Sequence, residues 1–274
     1  MRICVARNVV CFFLTLVFLF ESAASQDLKI IHSKFLKQGD SVLIYKPRSF
    51  SAGKTYPALY LLHGHSADFR AWPRLADLQS IANKYEFLIV CPDGLKKTWY
   101  FDSLRQDSSQ YESFFIKELM PQINQAYSVD KSKVFISGAS MGGYGALWLF
   151  IRYPQLFRSA GSTSGVVNLR HSGFKKTTIA AHLGDYSEDN TAFDDYSIVN
   201  NIQKLAGRGK VFIFDCGTDD YLYKSNKSLR DKCDSLKISA TYIAQPGAHT
   251  GRYWSGTLLQ HMQFFANQIK HTVE

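Results

Sequence analysis

Apolar positions in this chain gather into short, nearly unbroken runs at residues 56–62, 86–91, 133–137, 158–162, 210–216 and 240–244. A strand with one wet face alternates apolar and polar residues, so unbroken runs predict strands covered on both faces. Longer segments at 75–85, 111–127, 146–152 and 257–270 lie between or after these runs and read as helices. Ahead of them, 30–36 and 41–47 favour strands around the turn Lys37-Gln38-Gly39-Asp40, which predicts an opening β-hairpin. Strands alternating with helices predict an α/β fold in which right-handed crossovers lay helices on both faces of a central, mostly parallel β-sheet. Nothing in 26–274 reads as a linker, a repeat or a low-complexity tract, so the expectation is a single domain. Residues 164–202 break the pattern: they are polar, irregular and rich in His, Asp and Asn, and form a candidate lid or substrate loop.

The first 25 residues change the picture of where the chain works. Arg2 and Arg7 precede an uncharged run at 9–20, and Glu21 leads into Ser22, Ala23, Ala24 and Ser25. That order predicts a signal peptide over 1–25, cleaved before Gln26, and a secreted or periplasmic protein. An apolar run of about 12 residues is short of the roughly 20 that a spanning helix needs, and no later segment comes nearer, so no membrane association is expected after cleavage. A composition that is 46% hydrophobic supplies ample core and excludes a disordered chain. The net charge of +9 is scattered without stripe or run, which reads as a solvated surface suited to acidic polysaccharide and argues against a nucleic-acid partner. After cleavage Cys91, Cys216 and Cys233 remain, an odd set with no CxxC spacing, so neither a zinc site nor a disulfide scaffold is expected. Cys91 and Cys216 end apolar runs and read as buried thiols; a bridge between Cys216 and Cys233 stays open.

Candidate chemistry begins at Gly138-Ala139-Ser140-Met141-Gly142, which follows the apolar stretch Val134-Phe135-Ile136 and precedes a predicted helix. A sharp strand-to-helix turn forces its central serine into a strained backbone conformation, and the flanking glycines are needed where a Cβ would collide with neighbouring chain. Ser140 then stands above the sheet at a helix N-terminus, where developing negative charge is favoured. A serine hydroxyl is a weak nucleophile near neutral pH, so a base must take its proton and an acid must orient that base. The acid is expected after a strand, which points to Asp220 in Gly217-Thr218-Asp219-Asp220, with Asp219 as the alternative and Asp215, inside the strand, as structural. The base is expected later still, and His249 in Pro246-Gly247-Ala248-His249 follows the last strand. His261 and His271 on the terminal helix read as surface or partly buried residues, and His171 and His182 read as solvent-exposed. Two N–H donors must face the oxyanion: the backbone of Met141 is one, and the backbone of His65 in His63-Gly64-His65 is the other, with His63 anchoring the loop. A role for the ring of His63 or His65 is the competing reading. No HExxH or HxxEH spacing occurs, so neither a metal nor a cofactor is expected.

Several motifs in fixed order resemble the esterase family of α/β-hydrolases that holds tributyrin-type esterases, feruloyl and acetylxylan esterases, S-formylglutathione hydrolases and the mycolyltransferase antigens. They are His63-Gly64 with Trp72, Trp99 through Ser103, the elbow Gly138 to Gly145, Tyr153 through Phe157, Ser164-Gly165, and Gly247-Ala248-His249 with Trp254. The resemblance spans about residues 35–265. It implies the α/β-hydrolase fold, a Ser140–His249–Asp220 triad, oxyanion donors at His65 and Met141, and no cofactor. Two departures stand out: His65 replaces a small residue after His-Gly, which would narrow or polarise the acyl pocket, and Ala139 replaces a larger one. The expected activity is hydrolysis of short-chain acyl, acetyl or feruloyl esters, small or polysaccharide-linked, through an acyl-enzyme. His63, Trp72, Trp99 and Trp254 are candidate substrate contacts, although the tryptophans read equally as packing. An acyltransferase with the same triad and a non-catalytic carbohydrate-binding relative are the alternatives.

Overall fold

The computed structural model describes residues 26–270; the expected signal peptide and His271 lie outside the described residues. Eight strands form one sheet: β1 (Gln26–His32), β2 (Gly39–Tyr45), β3 (Tyr56–Leu62), β4 (Leu88–Pro92), β5 (Val129–Gly138), β6 (Ser159–Thr163), β7 (Val211–Gly217) and β8 (Ala240–Gln245). Their order across the sheet is β1-β2-β4-β3-β5-β6-β7-β8. The opening hairpin and the β2–β4 pair are antiparallel, and every other pairing is parallel, as the unbroken apolar runs require. Along β3 the side chains of Ala58, Tyr60 and Leu62 enter one core while Leu59 and Leu61 enter the other, so the sheet buries both faces.

Helices cover those faces. They are α1 (Ala71–Leu75), α2 (Leu78–Tyr85), α3 (Tyr111–Phe114), α4 (Met120–Tyr127), α5 (Met141–Arg152), α6 (Ala180–Leu183), α7 (Ala192–Asp195), α8 (Tyr223–Ser235) and α9 (Gly251–Lys270). The helix expected over 75–85 starts at Leu78, because Asp77 caps α2 by accepting from the Ser80 N–H at 3.0 Å, and the short α1 ends just before it. The helix expected over 111–127 is continuous but passes through a π-turn at Phe115–Leu119. Pro121, just beyond, has no N–H to give the preceding turn, which favours the looser ladder there. Among the described residues no helix is long and apolar enough to cross a membrane.

Register decides where the site forms. Leu62 pairs with Gly138 at the ends of β3 and β5, and Gly217 pairs with Gln245 at the ends of β7 and β8. Four loops therefore open at one edge of the sheet: those holding His63–His65, Ser140, Asp220 and His249. Residues 164–202, irregular on sequence, form short helical turns, and Val167, Leu169, Ile179, Phe193, Ile198 and Ile202 are all buried. Arg170 ties this segment together, pairing with Asp194 at 2.6 Å and donating to the carbonyls of Ser187, Glu188 and Asn190. Cys91, Cys216 and Cys233 are free and buried, so Cys216 and Cys233 form no bridge.

Candidate active site

Ser140 sits between β5 and α5 with φ 56° and ψ −115°, a conformation that L-residues rarely hold. Hydrogen bonds on every side keep it there: its N–H donates to Thr163 O at 2.9 Å, and its carbonyl accepts from the Tyr144 N–H at 3.0 Å. The turn is tight enough that a Cβ on Gly142 would lie 2.2 Å from Leu62 O, and one on Gly138 would lie 2.5 Å from Gly142 O. Both glycines are required by this crossing of two backbones.

The Ser140 Oγ lies 2.9 Å from His249 Nε2, and His249 Nδ1 lies 2.8 Å from Asp220 Oδ2. Asp220 Oδ2 only accepts, so Nδ1 carries the proton and Nε2 is left to accept from Ser140. The Asp220 side chain is wholly buried. Burial alone would raise its pKa, yet the hydrogen bonds from His249 and from the Leu222 N–H hold the carboxyl below its ordinary value. Asp219, the alternative acid, is exposed, and its N–H donates to Gly247 O. That bond and the one from Thr218 N–H to Gln245 O clamp the acid and base loops together.

The loop after β3 abuts the elbow: a Cβ on Gly64 would touch Ala139 O at 3.5 Å and Ser140 Cβ at 3.6 Å. Among the described residues no hydrogen bond engages the backbone N–H of His65 or of Met141. Two amides beside Ser140 are thus left unpaired, which is what an anion-binding pair needs. The buried His63 ring has Nδ1 2.7 Å from Gly64 O and Nε2 against Asp93 O. Burial lowers its pKa to about 4, so the ring is neutral and its single N–H donates to one of these two carbonyls, anchoring the loop. The His65 ring stacks on Phe174 with 4.2 Å between centroids and bonds Thr178 Oγ1 at 3.1 Å.

A cleft of about 230 Å³ opens over Ser140, lined by His63, His65, Trp72, Phe174, Tyr221 and Trp254 among others. Of the tryptophans expected near substrate, Trp72 and Trp254 reach this cleft, Trp72 while donating its indole N–H to Leu62 O at 2.9 Å. Trp99 is completely buried one layer back, beside Phe174 and His65. Two wall residues escaped the sequence reading. Tyr221 is exposed, and its ring lies 4.7 Å from that of His249; its position directly after Asp220 is a signal that could have found it. Phe174 sits in the segment that read as irregular. Two histidines differ from expectation: His182, expected in solvent, is buried and bonds Lys97 O at 2.8 Å, and His261, expected at the surface or partly buried, is fully buried. Each found a hydrogen-bonding partner inside the fold that no periodicity announces. Among the described residues no three His, Cys, Asp or Glu side chains are grouped to hold a metal ion.

The chain is similar to an acetyl esterase from Caldicellulosiruptor saccharolyticus, at 24% identity over 82% of this chain and 91% of that one. It is also similar to the S-formylglutathione hydrolase of Mus musculus, at 24% identity over 83% and 86% of the two chains. The solved structure of a ferulic acid esterase shares the fold with a TM-score of 0.77, at 24% identity over 89% of this chain and 98% of that one. A family model described as "Putative esterase" matches residues 33–265, so the chain belongs to that esterase family of α/β-hydrolases.

Proposed function

We propose that this protein is an exported serine carboxylic-ester hydrolase working through an acyl-enzyme. The observation that carries the reading is the unbroken line from the Ser140 hydroxyl through the His249 ring to the buried Asp220 carboxylate. Ser140 Oγ attacks the ester carbonyl while His249 Nε2 takes its proton, and Asp220 stabilises the imidazolium that forms. The backbone N–H groups of Met141 and His65 receive the oxyanion. Collapse of the tetrahedral intermediate breaks the bond to the alcohol oxygen, which leaves with the proton from His249. Water then attacks the acyl-serine with His249 again as base, releasing the acid and restoring Ser140.

Substrate class follows from the cleft. Its volume is below the roughly 300–1,000 Å³ of sites for drug-sized ligands, and its walls are largely aromatic, which suits a short aliphatic or a flat aromatic acyl group. The relatives named for acetyl and ferulic acid esters agree with acetyl or feruloyl groups, and an exported basic protein suits their attachment to polysaccharide. Export rests on the charge and apolar pattern of residues 1–25. The test is release of acetate and ferulate from arabinoxylan, set beside tributyrin and p-nitrophenyl acetate, by the parent and by Ser140→Ala. The parent should act on at least one ester and S140A should be folded and inactive; turnover retained by S140A would overturn the assignment.

A further inference from the structure

A second serine–histidine–aspartate array lies beneath the first, with no access to the cleft. Ser137 Oγ is 2.9 Å from His261 Nδ1, and His261 Nε2 is 2.8 Å from Asp215 Oδ2. Ser137, His261 and Asp215 are each 2% exposed or less, and none of them lines the cleft over Ser140. Asp215 Oδ2 also accepts from Thr163 Oγ1 at 2.9 Å, and Thr163 Oγ1 meets Thr257 Oγ1 at 3.0 Å. Space for the His261 ring is kept by a glycine, since a Cβ on Gly161 would lie 2.5 Å from Nδ1 and 2.6 Å from Ser137 Oγ.

Each member sits on an element that carries one part of the upper site. Ser137 is on β5, three residues before Ser140. Asp215 is on β7, which leads into the Asp220 loop. His261 is on α9, whose first residue follows His249 by two. Thr163 is on β6, and its carbonyl holds the Ser140 N–H. No backbone ladder bridges β5 to β7, because β6 lies between them, and α9 belongs to no ladder. The His261 ring therefore makes the polar link among all three supports of the triad.

We propose that Ser137, His261 and Asp215 form a positioning array that sets the distances among Ser140, His249 and Asp220. The proposal rests on Ser140 being the nucleophile. A group fixed in reacting geometry supplies much of the rate, and a misplacement of about 1 Å costs about 100-fold, so loosening the array should lower kcat and leave KM, set by the cleft walls, unchanged. A residue that served folding alone would change the amount of active protein and not the turnover of each active site.

The experiment measures kcat per active site, with sites counted by stoichiometric fluorophosphonate labelling, in Ser137→Ala, His261→Gln and His261→Leu. Parent and S140A are labelled first: a parent labelled at Ser140 and an unlabelled S140A establish the nucleophile apart from the array. The array then predicts kcat per site about 10- to 100-fold lower in H261L, with KM within about twofold and partial recovery in H261Q, which keeps a donor for Asp215. S137A removes one hydroxyl and leaves the His261–Asp215 pair, so it reports even if H261L does not fold, and its kcat per site should fall severalfold. Turnover per labelled site within about twofold of the parent in S137A and H261Q would overturn the proposal.

Discussion

Replacing Asp40 by Asn should make the protein more stable in mild alkali and scarcely change it in acid. Asp40 lies fully buried on β2, with Oδ1 accepting from the Asp93 N–H at 3.2 Å and Oδ2 from the Tyr111 hydroxyl at 3.1 Å. Burial pushes its pKa up from 3.8, the charge of Asp93 adds to the push, and these hydrogen bonds restrain it, leaving about 7. Below about pH 4 the carboxyl is protonated folded or unfolded. Between about 4 and 7 the unfolded chain has released the proton that the folded protein keeps, so stability falls as pH rises through that window. Three pH units correspond to about 4 kcal/mol. Asn keeps an acceptor for the Asp93 N–H and offers the Tyr111 oxygen a donor without a charge to bury. Urea unfolding of both proteins at pH 4.5, 6 and 8 reads the difference, since most other groups titrate alike in both. At a slope of about 3 kcal/mol per molar, the D40N midpoint should gain on the parent by about 1 M across the series. A parent-to-variant difference independent of pH would refute the argument.

Two further substitutions probe the walls of the site. Gly142→Ala would drive a methyl into the backbone carbonyl of Leu62, 2.2 Å away in a central strand that cannot yield, so it should cost about 1–3 kcal/mol in urea unfolding and weaken fluorophosphonate labelling. His65→Ala removes the ring stacked on Phe174 and leaves the backbone N–H in place. Its kcat/KM on p-nitrophenyl hexanoate should rise relative to acetate, and an unchanged acyl-length profile would show that His65 does not set the pocket.

Much of this was legible where one kind of residue dominates an element. The runs behind β3, β5 and β7 have no competing reading, because a parallel strand buried on both faces admits few polar residues. The elbow was equally plain, since it follows the end of such a strand, and His249 follows the last strand, whereas Asp219 and Asp220 are neighbours in one loop and the sequence left both open. Helix α8 was not legible: its buried stripe is Asn226, Leu229 and Cys233, with a single aliphatic residue to mark the face. The hairpin turn shifted because Gly39 and Asp40 pair with His32 and Ile31 inside the ladder, and Ser33 caps the bend by accepting from the N–H groups of Phe35 and Leu36. The segment 164–202 hid its order because turns of three or four residues are too short to show a period, and its cohesion comes from buried residues scattered along it and from side-chain bonds such as those of Arg170 and Asn201. His261 could not be placed from its helix, since its partners Ser137 and Asp215 lie 124 and 46 residues away in sequence.

Covalent labelling of the intact protein with a fluorophosphonate, followed by peptide mass spectrometry, tests the central claim most directly. The account predicts one adduct per molecule, on the peptide bearing Ser140, formed slowly or not at all in His249→Ala. An adduct on another serine, or none in a protein that is folded and hydrolyses esters, would contradict it.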